Sequence, residues 1–210
     1  MTALSTGQIA TLLEPFLPPQ APSGHFPLLP LLLDQLSAYL DLLLRWNRRV
    51  NLTSIRSPEE IVQRHFGESL FTGLHLVERL SRDAKLLDYG SGAGLPGLPI
   101  QLLLPHVQVT LAESQVRKAA FLREAVRTLS LQTEVWPRRV EEMPAERTFE
   151  AVTLRAVDRM EISLEQAEKR LNPGGWLAIL AGKAMETPPA AEVVALPESE
   201  HRRLILWRKP

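Results

Sequence analysis

The sequence predicts a doubly wound α/β sheet with an N-terminal helical cap, and three observations lead there. Strand-length apolar runs follow one another from Ala84 onward, most are separated by segments of helical length, and the first 80 residues carry helical patterning instead. A chain of 210 residues that is 45% hydrophobic can bury a full core. The expected division is a cap with a Pro-rich linker over 1–80 and a cofactor-binding domain over 81–210.

In chain order, a short helical pattern precedes "PFLPPQAPSGHFP", whose five prolines and one glycine favour a surface linker. From Pro30 to about Val50, Leu29, Leu33, Leu36, Leu40 and Leu43 recur at helical steps, opposite Asp34, Ser37, Asp41 and Arg45. The next helix starts at Ser57 as N-cap, with Pro58 in the first helical position and acids behind it. The runs "AKLLDYG", "VQVTLAE", "TEVWP", "FEAVTLRA", "GWLAILAG" and "RRLILW" are strand candidates, and "SQVRKAAFLREAVRTL" and "DRMEISLEQAEKRL" are helices. About eleven residues separate "LAIL" from "EVVAL", too few for a crossover helix, so the last two strands are expected as a hairpin-like edge.

Composition removes several functions. The formal charge is zero, so a polyanion must be met by a local patch rather than a global field. Without cysteine there is no disulfide, thiol nucleophile or thiolate metal site, which fits a cytoplasmic location. Asp34, Gln35 and Asp41 interrupt the Leu-rich segment short of a membrane span, and the lack of Lys or Arg before Arg45 excludes a secretory signal. His65 and His75, ten residues apart, do not make a metal signature, and no metal is expected.

The stretch "LLDYGSGAGLPGLPI" lies at the end of the first strand, where open α/β sheets bind ligands. Gly92, Gly94 and Gly97 also satisfy G-x-G-x-x-G, which keeps a nicotinamide-dependent oxidoreductase in view. The spacing Asp88, Gly90, Gly92, Gly94, with Glu113 closing the next strand, suits S-adenosylmethionine instead: Glu113 can accept hydrogen bonds from both ribose hydroxyls. Asp88 is then placed near the amino-acid part of the cofactor.

Five segments go further: "WNRRVNLTSI", "RHFGESL", "DYGSGAGLPGLPI", "RVEEM" and "LRAV". In order and spacing they resemble the bacterial small-subunit ribosomal RNA guanine-N7 methyltransferase family, also known as glucose-inhibited division protein B. The resemblance covers about residues 30 to 183. It implies a class I methyltransferase (Rossmann-like) fold, S-adenosylmethionine as cofactor, and N7 of a guanosine in the 530-loop region of 16S rRNA as acceptor. It further implies that Gly90 and Leu95 contact the cofactor, that Val140 and Glu141 bracket its adenine, and that Arg155 lies at the pocket mouth. Glu113 where Asp is frequent, Glu68 where Asp is usual, and the order "LAGK" ending in Lys183 depart from the family pattern.

Guanine N7 needs no general base, so placement is the whole catalytic task, and no acid/base pair stands out. By resemblance, Asn51, His65 and Arg155 are positioning candidates near the target base. Arg45, Arg48, Arg49, Arg56 and Arg64 against Glu59 and Glu60 give a local charge of about +3, a candidate RNA-phosphate patch. Trp46 stacks on a base or anchors the cap; Asn47 or Asn51 bonds a base, or Asn51 closes a helix in the left-handed conformation. The expected partner is 16S rRNA in the small subunit or an assembly intermediate, with the protein a monomer and no membrane involved. A methyltransferase for small molecules or proteins, and a non-catalytic assembly factor, are the remaining alternatives.

Overall fold

The computed structural model describes residues 3–17, 30–156 and 160–210; most of the expected Pro-rich linker, and Val157 of "LRAV", lie outside these. The elements are α1 (Thr6–Leu13), α2 (Pro30–Asn47), α3 (Pro58–Glu60), a π-helix (Ile61–Gly67), α4 (Glu68–Val77), β1 (Lys85–Tyr89), α5 (Gly97–Leu103) and β2 (Gln108–Ala112). They continue as α6 (Val116–Thr128), β3 (Glu134–Trp136), β4 (Phe149–Arg155), α7 (Met160–Arg170), β5 (Leu171–Gly182), β6 (Glu192–Ala195) and β7 (Arg202–Arg208). Seven strands form one sheet in the order β3-β2-β1-β4-β5-β7-β6. The pairs from β3 to β5 are parallel, and β7 runs antiparallel to both β5 and β6. The edge is therefore a β6–β7 hairpin, as the short tail requires.

Alternating strand residues serve the sheet's two faces. Leu86, Leu111, Ala151, Ala178 and Leu204 belong to one apolar cluster; their neighbours Leu87, Ala112, Val152, Ile179 and Ile205 belong to another. The first cluster also takes in Ile9, Leu36, Tyr39, Phe66, Ile100 and Phe121, so the cap helices share their core with one face of the sheet. The second holds Ala167 of α7 and Val140.

Two sequence expectations change. The buried stripe of α2 is Leu32, Leu36, Tyr39, Leu40, Leu42 and Leu43, and Ser37 is buried with it, because α2 packs against α5, α6 and the π-helix at once. The helix announced by Ser57, whose hydroxyl accepts from the Glu60 amide at 3.3 Å, widens into π geometry from Ile61 before closing again as α4. Gly67 sits in the widened turn because a Cβ there would lie 2.5 Å from the Phe16 ring.

Candidate methyl-transfer site

The carboxyl ends of β1, β2 and β4 open on one cavity of about 890 Å³, large enough for a nucleoside cofactor and part of a second reactant. Gly90 and Gly92, in the left-handed region at φ 68° and 55°, form its floor with Leu95. At Gly92 the backbone angle excludes a side chain, since a Cβ would meet nothing closer than 3.8 Å. Gly94, also left-handed at φ 84°, and Gly97 are set by packing as well: a Cβ would strike Leu98 at the first and Leu111 and Asp88 at the second.

Glu113 follows β2 and is buried. Its Oε2 accepts from the Gly92 amide at 3.0 Å and its Oε1 from the Gln115 amide at 2.7 Å. Each carboxylate oxygen keeps a lone pair for a ribose hydroxyl. Val140 and Glu141 stand across the cavity, where Tyr89 donates its hydroxyl to Glu141 Oε1 at 2.9 Å. Burial and that carboxylate push the Tyr89 phenol up to about 12. An apolar wall, a diol-accepting carboxylate and a polar far edge fit S-adenosylmethionine.

Asp88 corrects the expectation placed on it. It is 1% exposed and does not line the cavity; Oδ2 accepts from the Gly97 amide at 3.1 Å and Oδ1 from the Thr153 hydroxyl at 2.9 Å. Both oxygens face the start of α5 and strand β4, so Asp88 shapes the glycine turn. Burial raises its carboxyl to about 6 despite those bonds and the Arg155 charge.

The π-helix supplies the other wall. Its opened carbonyls take Arg155: Nη2 donates to Arg64 O at 2.8 Å and Nη1 to His65 O at 3.4 Å. Arg155 Nη2 also lies 2.8 Å from His65 Nδ1 and 3.1 Å from Glu68 Oε2, and Arg202 Nη1 lies 2.9 Å from Glu68 Oε1. Burial raises the Glu68 carboxyl, which the two guanidiniums oppose, and lowers Arg155 to about 10, still charged at neutral pH. His65, buried among Arg155, Arg202 and Arg64, is lowered to about 2 and stays neutral. Ala156, next to Arg155 on the cavity wall, is held at φ 48°, a strained angle for a residue with a Cβ.

The remaining candidates divide. Asn51 is exposed, does not line the cavity, and only accepts from Arg56 Nη2 at 3.3 Å; α2 ends at Asn47, so Asn51 closes no helix. Asn47 is a brace: Oδ1 accepts from the Leu52 and Thr53 amides at 2.9 and 3.0 Å, and Nδ2 donates to Thr53 O and Ile55 O at 3.0 and 3.4 Å. Trp46 anchors the cap, edge-on to Phe121 at 5.7 Å with its indole N–H donating to Glu124 at 3.2 Å. Of the five patch arginines only Arg64 lines the cavity, while Arg45, Arg48 and Arg49 are exposed at the end of α2 and Arg56 donates to Asn47 O at 2.9 Å. Sequence reading missed Lys118, Arg138 and Arg202 on the rim and Thr53 on the wall; only "PRRVE" after β3 was a visible signal. Among the described residues no group of three or more His, Cys, Asp or Glu is placed to hold a metal ion.

A family model described as rRNA small subunit methyltransferase G matches residues 32–200. A protein named ribosomal RNA small subunit methyltransferase G from Desulfitobacterium hafniense is 36% identical over 198 residues, covering 84% of this chain and 81% of that one. Its namesake in Xylella fastidiosa (strain 9a5c) is 41% identical over 163 residues, 77% of this chain and 73% of that one. Among solved structures, a putative O-methyltransferase from Klebsiella pneumoniae superposes with a TM-score of 0.58 at 14% identity, covering 82% of this chain and 90% of that one, a likeness of fold. The nicotinamide alternative falls with these matches: the chain belongs to the rRNA small subunit methyltransferase G family, S-adenosylmethionine-dependent enzymes of class I methyltransferase fold.

Proposed function

We propose that the protein methylates N7 of a guanosine in the 530-loop region of 16S rRNA, acting as a monomer in the cytoplasm on the small subunit or an assembly intermediate. Bound S-adenosylmethionine would supply a sulfonium methyl: the in-plane lone pair of N7 would form the N–CH3 bond as the S–CH3 bond breaks, leaving S-adenosylhomocysteine and a positively charged 7-methylguanine, with no proton to remove. Gly90, Gly92, Leu95, Glu113, Val140 and Glu141 would hold the cofactor. The observation that carries the acceptor assignment is the state of the polar wall. His65 has both ring nitrogens engaged and is lowered to about 2, and Tyr89 is raised to about 12, keeping its proton and donating it in a hydrogen bond to Glu141. The two carboxylates of the cavity are engaged as well, Glu113 by the Gly92 and Gln115 amides and Glu141 by the Tyr89 hydroxyl, so the wall is built to position and polarise, which suits N7, an acceptor with no proton to remove.

For the partner, six cationic side chains line the cavity (Arg64, Lys118, Arg138, Arg139, Arg155, Arg202) against the carboxylates Glu113 and Glu141 on its lining and Glu68 behind Arg155 and Arg202. In a chain of zero formal charge this local excess favours a polyanion at the mouth. Exposed Arg45, Arg48 and Arg49 extend it, since Leu52 to Ile55, which follow them, line the same cavity. No helix among the described residues is long and apolar enough to cross a membrane.

The test is methyl transfer from labelled S-adenosylmethionine to small subunits lacking the modification, followed by nucleoside analysis. Label in 7-methylguanosine is expected; label in another nucleoside rejects the proposal. A small-molecule or protein substrate predicts no label in rRNA, and a non-catalytic assembly role predicts subunit binding without turnover.

A further inference from the structure

Thr53 lies on the cavity wall beside His65, and its bonds fix what its hydroxyl can do. A guanidinium has no acceptor, so the 2.8 Å contact between Arg155 Nη2 and His65 makes Nδ1 the acceptor and leaves the imidazole proton on Nε2. That N–H points at Thr53 Oγ1, 2.7 Å away. The Ile55 amide donates to the same oxygen at 3.2 Å. Both acceptor positions of Oγ1 are thereby filled, and the hydroxyl proton is all it has left to offer. No acceptor for that proton is found among the described residues. Glu68, placed between Arg155 and Arg202, holds the head of this relay, and Asn47 pins the backbone of Thr53 on both sides.

A one-way donor on the wall of a methyl-transfer cavity distinguishes purines. Beside N7, guanine presents the acceptor O6, whereas adenine presents an amino donor. We propose that Thr53 reads the target base, its hydroxyl donating to guanine O6 while N7 stays free for the methyl group; this rests on the guanine-N7 assignment above. Adenine in the same place would set donor against donor, an arrangement that a site built for hydrogen bonding rejects strongly.

The experiment uses small subunits reconstituted with 16S rRNA in which the labelled guanosine, once mapped, is replaced by 2-aminopurine, which keeps N7 and carries hydrogen in place of O6. Wild-type enzyme should lose about tenfold to hundredfold in kcat/KM on 2-aminopurine. Thr53→Val should lose a similar factor on guanosine and nothing further on 2-aminopurine, with cofactor affinity by calorimetry unchanged; Thr53→Ser should stay within about threefold of wild type. Equal wild-type rates on the two bases, or a loss for Thr53→Val that multiplies with the loss from 2-aminopurine, overturns the inference and leaves the N7 assignment standing. If wild-type enzyme forms no 7-methylguanosine, both fall together. Should Thr53→Val not fold, Thr53→Ala is measured in its place with the same expectation, and equal wild-type rates on the two bases still overturn the inference.

Discussion

Glu113 shows how one side chain joins the fold to the ligand. Its two oxygens hold the Gly92 and Gln115 amides, so removing it loosens the glycine turn and, on the proposed reading of the site, takes away the ribose acceptor as well. Glu113→Ala should weaken S-adenosylmethionine about tenfold to hundredfold by calorimetry, and Glu113→Asp much less; an unchanged affinity for Glu113→Ala would remove it from the cofactor site. Asp88 makes a different prediction. Its folded carboxyl titrates at about 6, above the unfolded value near 3.8. Between those values the folded state holds the extra proton, so stability falls as pH rises through the window, by ~1–3 kcal/mol. Asp88→Asn can keep the bonds to Gly97 and Thr153 without the charge. Its stability relative to wild type should therefore rise by that amount between pH 4 and pH 7, measured by urea denaturation; a difference constant with pH would show that the carboxyl does not titrate there. Glu113 and the glycine turn were legible in the sequence because their spacing is local. The turned-away Asp88 was not, since its direction is set by Thr153, 65 residues on.

At the scale of elements, the loop between α2 and α3 starts on backbone bonds of its own, up to that from the Leu52 amide to Val50 O, and its second half is held by a side chain. Asn47 makes four bonds to residues 52, 53 and 55, and these place Thr53 over His65. Asn47→Ala leaves the Thr53 amide and the Thr53 and Ile55 carbonyls without the partner they have here, and the Leu52 amide with only the Val50 carbonyl, at a cost of roughly 2–4 kcal/mol, and should lower the melting temperature by about 5–10 °C. Methyl transfer should fall with it while cofactor affinity stays near wild type, because the glycine turn and Glu113 lie on the other wall. A parallel loss of cofactor affinity would show that the loop supports the whole cavity. The start of the following helix was readable from Ser57 and Pro58, which act within one turn. Its π widening was not: the ring of Phe16 fills the space beside Gly67, and Arg155, some 90 residues later, bonds the opened carbonyls. Arg155, at the end of β4, lines the cavity and, packed into the helix, also orders its wall.

Over the whole molecule, the expected boundary near residue 80 separates segments that differ in periodicity but share one interior. Tyr39 of α2 is fully buried, stacks on Phe66 with ring centroids 4.9 Å apart, and donates its hydroxyl to the carbonyl of Ala93 within the glycine turn. Burial drives its phenol well above the ordinary tyrosine value, so the proton stays available for that bond at any physiological pH. A cap tied in this way to the floor of the cofactor site should unfold with the sheet, not before it. Amides in the middle of α2 and of β4 are then expected to exchange with the same free energy of opening, and a cofactor at a hundred times its Kd should raise both by about 2.7 kcal/mol. Tyr39→Phe keeps the ring stack and removes the hydroxyl. It should lower global stability by about 1–3 kcal/mol and reduce the increment that the cofactor gives to α2, because the Ala93 carbonyl loses its buried partner. If α2 exchanges at markedly lower free energy than β4 and ignores the cofactor, the cap is a separate unit laid against the sheet, and the hydroxyl of Tyr39 does not couple it to the site.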